Sequence, residues 1–317
     1  MKGIWITWEK QRRNRGISDA LNWRLYEIVY DNKPKLYRYL LSIVKTIGII
    51  FHDKPQIVIA QNPSKVLAFI VICLKRVFRY TAVVDAHNSG IYPRGGRFKT
   101  LMMISKWLQQ HADLTIVTNK ELSLVVQANG GKPFILPDRI PSIPLVETVP
   151  LSGKLNILYI CTFSEDEPYR QVLEAAELIP QDITIYFTGN NKGKIAEGSV
   201  PSNVELLGFV SESTFWSMIM SADIIMDITL REGCLVCGAY EGVAAGKPLI
   251  LSDTEALRDY FNMGSIYVGP APNEIANGIL QAQHRMEHMK NEIQQLKKNL
   301  EQKWQEQLRQ LQCLIGA

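Results

Sequence analysis

The chain has 317 residues, 46% hydrophobic and 21% charged. That is enough for two cores, because a single core stops growing near about 250–300 residues. A net charge of +4 makes no nucleic-acid coat, so no nucleic-acid partner is expected, although a local basic patch would favour anionic phosphates or lipids. Five cysteines scattered along the chain form no dense disulfide framework. The opening stretch MKGIWITWEKQRRN has too short an apolar part for a secretory signal and turns basic at once, so a cytoplasmic setting is expected.

In chain order, the first half alternates short apolar runs with segments of helical spacing. The runs are GIWITW (3–8), QIVIAQ (56–61), TAVVDAH (81–87), LTIVTN (114–119) and PFILPD (133–138). Continuous β-branched runs bounded by turns predict fully buried parallel strands, and alternation with helices predicts a doubly wound α/β sheet. Two intervening segments mix basic and apolar residues. KVLAFIVICLKRVFRY holds nine apolar residues from Val66 to Leu74, and KPKLYRYLLSIVKTIGIIF (33–51) has a similar character. Neither reaches the roughly 20 residues a spanning helix needs. The first reads as a buried helix flanking the sheet; the pair also admits helices resting on a membrane surface with basic residues toward headgroups.

Four prolines in 136–154 mark the best linker. The pattern then restarts with LNILYICTF (155–163), ITIYFTGN (183–190), VELLGFV (204–210), DIIMDITL (223–230), PLILSD (248–253) and SIYVG (265–269). The expected architecture is two Rossmann-like α/β domains facing a cleft, over 1–147 and 148–280, followed by an amphipathic helix over 281–317. In such sheets ligands sit beyond the carboxyl ends of the strands, which here carry Asp85, His87, Asn119, Asp138, Gly189, Arg231, Glu232 and Asp253. Apolar residues recur mostly at three or four from Ile275 through Ile293 and Leu300 to Leu311. This long stripe reads as a strut packed against the sheets, with a partner-binding or self-associating coiled coil as the other reading.

The stretch LREGCLVCGAYEGVAAGKPLILSD (230–253) carries the chemistry. Cys234 and Cys237 form a CxxC without the second pair or close histidines that structural zinc needs, so they read as small residues packed under a turn, and no metal is expected. Glu232 falls in a turn after a strand, and a helix from about Val236 to Ala245 carries Glu241 and stops at Gly246. A carboxylate beside the N–H groups of a helix start suits a polyol joined to a phosphate: the carboxylate accepts from sugar hydroxyls, and the helix dipole faces the anion.

REGCLVCGAYEGVAAGKPLILSD resembles the nucleotide-sugar motif of GT-B glycosyltransferases of the family-4-like group: a Glu, a glycine-rich turn, a second Glu and a small-residue helix ending in Gly-Lys-Pro. DAHNS (85–89), ADLTIVTNKEL (112–122) and NVELLGFVSESTFWSMIMSADIIMDIT (203–229) resemble the family in the places expected. The resemblance implies that Glu232 contacts donor-sugar hydroxyls and Glu241 the ribose. It also implies that Gly233, Cys234 and Leu235 offer backbone N–H to sugar or diphosphate, that His87 contacts the donor sugar, and that Gly16 lies in a loop near the diphosphate. Gly189 joins the donor set; Asn88 and Asn119 are expected on the acceptor side.

Three departures stand out. Eight residues rather than seven separate the glutamates; the first loop carries Arg12, Arg13 and Arg15 in place of a glycine pair; and the loop CTFSEDEPYRQ carries Asp166 and Glu167 where the family places cations. Arg15 and Arg231 are therefore the expected diphosphate cations, Arg being suited by its planar fork. The resemblance implies transfer of a sugar from a UDP- or GDP-sugar, and the basic-apolar helices of the first domain suggest a lipid-linked or polysaccharide acceptor. The resemblance also implies retention of configuration; no Asp-x-Asp appears, so no metal or other cofactor is expected, and the same basic-apolar helices suggest surface polysaccharide assembly at the inner membrane face, with peripheral contact. An inverting enzyme would need a base, for which Asp85 and His87 are the candidates. A nucleotide-sugar epimerase and a non-catalytic assembly subunit of the same fold are the alternatives.

Overall fold

The computed structural model describes residues 2–316 apart from 63, 197 and 199. The chain divides into two compact units, Met1–Arg139 with Lys303–Ala317, and Ile140–Gln302. The division falls inside the proline-rich stretch, eight residues before the boundary expected after 147, and the C-terminal segment is shared between the units rather than standing apart.

The first unit runs β1 (Gly3–Thr7), α1 (Arg12–Leu21), β2 (Arg24–Glu27), α2 (Lys35–Asp53), β3 (Ile57–Asn62), α3 (Lys65–Phe78), β4 (Thr81–Ala86), α4 (Asn88–Ile91), α5 (Lys99–His111), β5 (Leu114–Val117), α6 (Lys120–Ala128) and β6 (Pro133–Ile135). Its strands form one parallel sheet in the order β2-β1-β3-β4-β5-β6. β1 and β3 are buried at every residue, as strands covered on both faces must be. β2 is an addition to the expected elements. Arg-Leu-Tyr-Glu has no apolar run to announce it, because it is a half-exposed edge strand with one neighbour.

The second unit runs β7 (Leu155–Tyr159), α7 (Tyr169–Ala176), β8 (Ile183–Thr188), β9 (Val204–Gly208), α8 (Glu212–Ser221), β10 (Ile224–Asp227), α9 (Cys237–Ala245), β11 (Leu249–Ser252), α10 (Glu255–Tyr260), β12 (Ser265–Val268) and α11 (Pro272–Ile315). The parallel order is β12-β11-β10-β7-β8-β9. α11 is one continuous helix of 44 residues. Ile275, Ile279, Met289, Ile293, Leu296 and Leu300 are buried in the cores of the second unit. Trp304, Leu308, Leu311 and Ile315 are buried with Trp5, Ile57 and Val83 in the first. The apolar stripe thus packs within the chain, which is the strut arrangement.

Each sheet reverses its strand order once. In the first unit the chain builds outward from β1 to β2 and then to β3 on the other side; in the second it builds from β7 to β9 and then returns to β10 on the other side of β7. Loops leaving the carboxyl ends of two such strands diverge and leave a crevice, the usual ligand position in open α/β sheets.

Candidate functional site

At the β7/β10 reversal two loops are tied together. Arg231, after β10, makes a forked pair with Asp166, after β7, with both N–O distances 2.9 Å. The Thr229 hydroxyl donates to Asp166 at 3.2 Å, and the Leu230 N–H to the Asp166 carbonyl at 2.7 Å. Glu167 turns inward and accepts the N–H groups of Thr162 at 2.8 Å and Ser164 at 3.0 Å. The acidic loop therefore has its own partners: Asp166 is matched by Arg231, and Glu167 caps backbone. The same pairing commits Arg231, expected as a diphosphate cation, to a neighbouring carboxylate. Arg15 is likewise paired, with Glu27 at 2.9 Å on the surface of the first unit.

α9 begins at Cys237; Val236 before it offers no side-chain cap, and no acid lies in its first turn. One of its early N–H groups, that of Gly238, donates to buried Asp227 at 2.8 Å. Burial drives the Asp227 carboxyl well above the usual carboxylate range; the Gly238 bond opposes this, and Glu167, Glu241 and Asp166 add repulsion. A carboxyl so enclosed resists ionisation. α9 lies tight on the sheet through its glycines: a Cβ at Gly238 would fall 2.7 Å from Asp227 Oδ2 and one at Gly242 3.2 Å from Ile225 Cβ.

Glu232 is exposed and Gly233 follows it at φ +60°; Cys234 and Leu235 are half-buried against the core. Glu241 is buried on α9, close enough to Asp227 to raise its pKa. The two glutamates of the motif are thus unlike, one open to solvent and one enclosed. Cys237 is exposed rather than packed. Gly189 follows β8 at φ +99°, and a Cβ there would strike the Cys161 carbonyl, so only glycine fits. Glu232, Gly233, Gly189 and the start of α9 all lie at the carboxyl ends of the second unit's strands. Among the described residues no cluster of three or more His, Cys, Asp or Glu is arranged to hold a metal ion.

In the first unit the arginine-rich segment is helix, not loop. Arg13 is buried on α1 and donates to Asp85 at 2.7 Å, to Asp138 at 2.6 Å and to the Leu136 carbonyl at 2.8 Å. Burial alone would lower its pKa, but the two carboxylates outweigh it and raise the guanidinium above its ordinary range. Burial alone would raise Asp85, but Arg13 and His87 hold it well below the usual value. Asp85, a candidate general base, is thus held as a carboxylate in an ion pair with Arg13. Nε2 of His87 lies 3.5 Å from Asp85 Oδ2. Gly16 is inside α1, past the turn where helix N–H groups are open, and a Cβ there would meet nothing within 4 Å. Asn119, expected on the acceptor side, is buried as the N-cap of α6 and accepts the Leu122 N–H at 3.0 Å. Asn88 is the first residue of α4, beside His87.

Sequence reasoning missed several groups. Asn14 is fully buried, and neither polar atom of its side chain has a hydrogen-bond partner. Lys65 donates to the Gly90 carbonyl at 3.1 Å, and burial brings its pKa down to about 8. A hollow in the first unit is lined by Trp8, Tyr30, Lys35, Arg38, Tyr39 and Ser42. Aromatic and basic residues spaced through 8–42 carry no local motif; only the fold of β1 and α2 gathers them.

No protein-family model and no curated protein matches the chain. Solved structures match over nearly its whole length. Sucrose-phosphate synthase from Thermosynechococcus elongatus superposes with a TM-score of 0.78 at 14% identity, covering 99% of this chain and 98% of that one. HepE from Anabaena, solved in complex with UDP, gives 0.74 at 13% identity with 100% of each chain covered. The lipopolysaccharide outer core galactosyltransferase WaaB gives 0.66 at 11% identity, covering 97% and 99%. A UDP-GlcNAc 2-epimerase from Methanocaldococcus jannaschii gives 0.56 at 11% identity, covering 88% and 92%. With two parallel six-stranded sheets, a long terminal helix and these relatives, the chain has the GT-B fold of glycosyltransferases.

Proposed function

We propose that the protein is a glycosyltransferase that takes a sugar from a nucleotide-diphosphate donor bound at the β7/β10 reversal. The observation that carries this is the loop from β10 into α9. It sets exposed Glu232, the turn at Gly233 and the start of α9 beside one another at the carboxyl edge of the sheet. Glu232 accepts from donor-sugar hydroxyls, the N–H groups from Gly233 to Leu235 face the diphosphate, and Glu241 receives the ribose. Departure of the diphosphate is helped by these dipoles, which stabilise developing charge without a metal. Arg231 joins them if the anion draws it from Asp166.

Of the two expected donor classes, UDP-sugars come first, since HepE has been solved with UDP, UDP-glucose, and UDP with glucose. The acceptor side is assigned to the first unit, with His87 and Asn88 at the carboxyl end of β4 and a lipid-linked or polysaccharide acceptor in the aromatic and basic hollow. With Asp85 locked by Arg13, a retaining course that needs no dedicated base is the simpler chemistry. A role in surface polysaccharide synthesis follows from such an acceptor.

Calorimetric titration with UDP, GDP, ADP and CMP tests the donor site. One nucleotide should bind, and Glu232→Ala and Glu241→Gln should each weaken the matching nucleotide-sugar by roughly tenfold, the loss of one or two good hydrogen bonds. Absence of binding by a folded protein would refute the reading and favour a non-catalytic subunit. An epimerase is the second reading, because such enzymes share the fold. It predicts interconversion of a free nucleotide-sugar without any acceptor, which product analysis by NMR separates from transfer.

A further inference from the structure

α2 is amphipathic the wrong way round for a helix that packs on a core. Its inward face carries Ser42, Thr46 and Asp53 beside Ile50, and these polar groups have partners: the Trp8 indole donates to Thr46 at 3.1 Å and the Tyr26 hydroxyl to Asp53 at 2.5 Å. Its outward face carries Leu36, Leu40, Val44, Ile47 and Phe51. Leu36 is 76% exposed, Val44 69% and Phe51 66%, while Thr46 is 0% exposed. Steps of four, four, three and four residues keep these five side chains within about 80° of one another around the helix. An isolated surface leucine is ordinary; a five-residue apolar stripe four turns long is not.

The stripe continues onto neighbours. α2 packs beside α3, where Phe51 meets Phe78, and α3 beside α5, where Phe69 meets Trp107. Phe69, Val77, Met103 and Ile104 of these two helices are also exposed. The same part of the chain is strongly basic. Residues 32–112 hold thirteen Lys and Arg and only two acids, Asp53 and Asp85, both buried. The remainder of the chain holds 22 Lys and Arg against 29 acids. The modest net charge of the whole molecule therefore hides a segregation: the part that bears the apolar stripe is strongly positive and the remainder is net negative. Among the described residues no helix is long and apolar enough to cross a membrane.

We infer that the α2–α3–α5 layer of the first unit docks on an anionic lipid surface, with the α2 stripe in the acyl boundary and the surrounding Lys and Arg among the headgroups. A bilayer satisfies both features at once: apolar area for Leu36 to Phe51, and negative charge for the cations around it. A nucleic acid would match only the charge, and a second copy of this equally basic face would repel it. The inference deepens the acceptor side of the proposed function. Lys35, Arg38, Tyr39 and Ser42 of α2 line the aromatic and basic hollow, so an acceptor reaching it would be carried by a lipid.

The test is flotation of the full chain with phosphatidylglycerol-containing vesicles against phosphatidylcholine alone, at about 0.05 M and about 0.5 M salt, which changes the screening length several-fold. Binding is expected with the anionic vesicles at low salt and should fall steeply at high salt. Leu40→Glu with Val44→Glu should lower partitioning about tenfold or more, and Lys45→Glu with Arg76→Glu should weaken it in the same direction. All four positions lie on the surface, outside the hollow and the donor site, so nucleotide affinity by calorimetry should be unchanged. No flotation at low salt, or flotation indifferent to the α2 pair, overturns the inference. So does a wild-type dimer that Leu40→Glu with Val44→Glu converts to monomer in the absence of lipid binding. The donor reading stands or falls separately, on nucleotide binding.

Discussion

Arg13 sits second in α1 and meets Asp85, 72 residues away, and Asp138, 125 residues away. Removing one partner of such a buried group leaves an uncompensated charge, at a cost of roughly 3–5 kcal/mol, whereas replacing both with apolar groups is nearly neutral. Arg13→Met should lower the unfolding midpoint of the first unit by about 10 °C, and Arg13→Met with Asp85→Leu should recover most of it in a thermal scan. The sign with pH follows. Asp85 has a depressed folded pKa, so its contribution is present above its unfolded value near about 4 and is lost as pH falls below that.

Lys65 runs the other way. Its folded pKa of about 8 lies below the ordinary 10.5, so the unfolded chain holds more protons in that window. Stability then rises as pH climbs from about 8 toward 10.5. Lys65→Met should abolish this rise, seen as a difference in midpoint between wild type and variant that changes from pH 7 to pH 10 and not from pH 6 to pH 7. Neither pairing nor burial is legible locally. An arginine-rich stretch and an Asp before a His look like surface and catalyst until the fold brings their partners.

At the scale of elements, glycine has opposite meanings at two positions. Gly242 on α9 has no room for a side chain against Ile225 and Leu249, while Gly16 on α1 faces open space. Gly242→Val should destabilise the second unit by about 1–3 kcal/mol through overpacking. Gly16→Ala should be neutral or stabilise the first by up to about 1 kcal/mol, since alanine is the better helix former. Denaturant titration of the two variants checks both signs. Gly242 lies in the small-residue helix of the family-like motif, and the fold uses its missing side chain for close packing on the sheet. Gly16 was expected in a ligand loop on family pattern, and nothing near it in sequence said that the helix had already begun.

α11 illustrates a second lesson. Its apolar period was plain, but the period is the same for a strut and for a coiled coil; what covers the stripe is decided by the rest of the chain. Deleting 303–317 removes Trp304, which donates to the Pro137 carbonyl at 3.0 Å, along with Leu308, Leu311 and Ile315. The first unit should then lose stability by more than any single substitution above, and hydrogen exchange should rise in β1 and β3. α2 is the converse case: a basic and apolar segment that resembles α3 in composition, yet α3 buries Leu67, Ala68, Val71 and Ile72 while α2 buries Ser42 and Thr46.

At the scale of the whole molecule, two units with separate cores should unfold in two calorimetric transitions. Saturating nucleotide should raise only the transition of the second unit, by about 2.7 kcal/mol at a hundredfold excess over Kd. A shift confined to the first unit would move the donor site out of the β7/β10 reversal.

What the sequence determined by itself was the class of architecture. Buried parallel strands must be continuous apolar runs, crossover helices must carry a periodic stripe, and a strand-turn-helix with small residues must end in a cap. All three are properties of neighbours along the chain, so eleven strands could be read directly. Tertiary structure alone decided which charges are spent on other charges, as in Arg13 with Asp85 and Arg231 with Asp166, and which apolar faces are left uncovered, as on α2. Those outcomes depend on residues tens to hundreds of positions apart meeting in a low-dielectric interior or failing to meet at all, and periodicity carries no record of either.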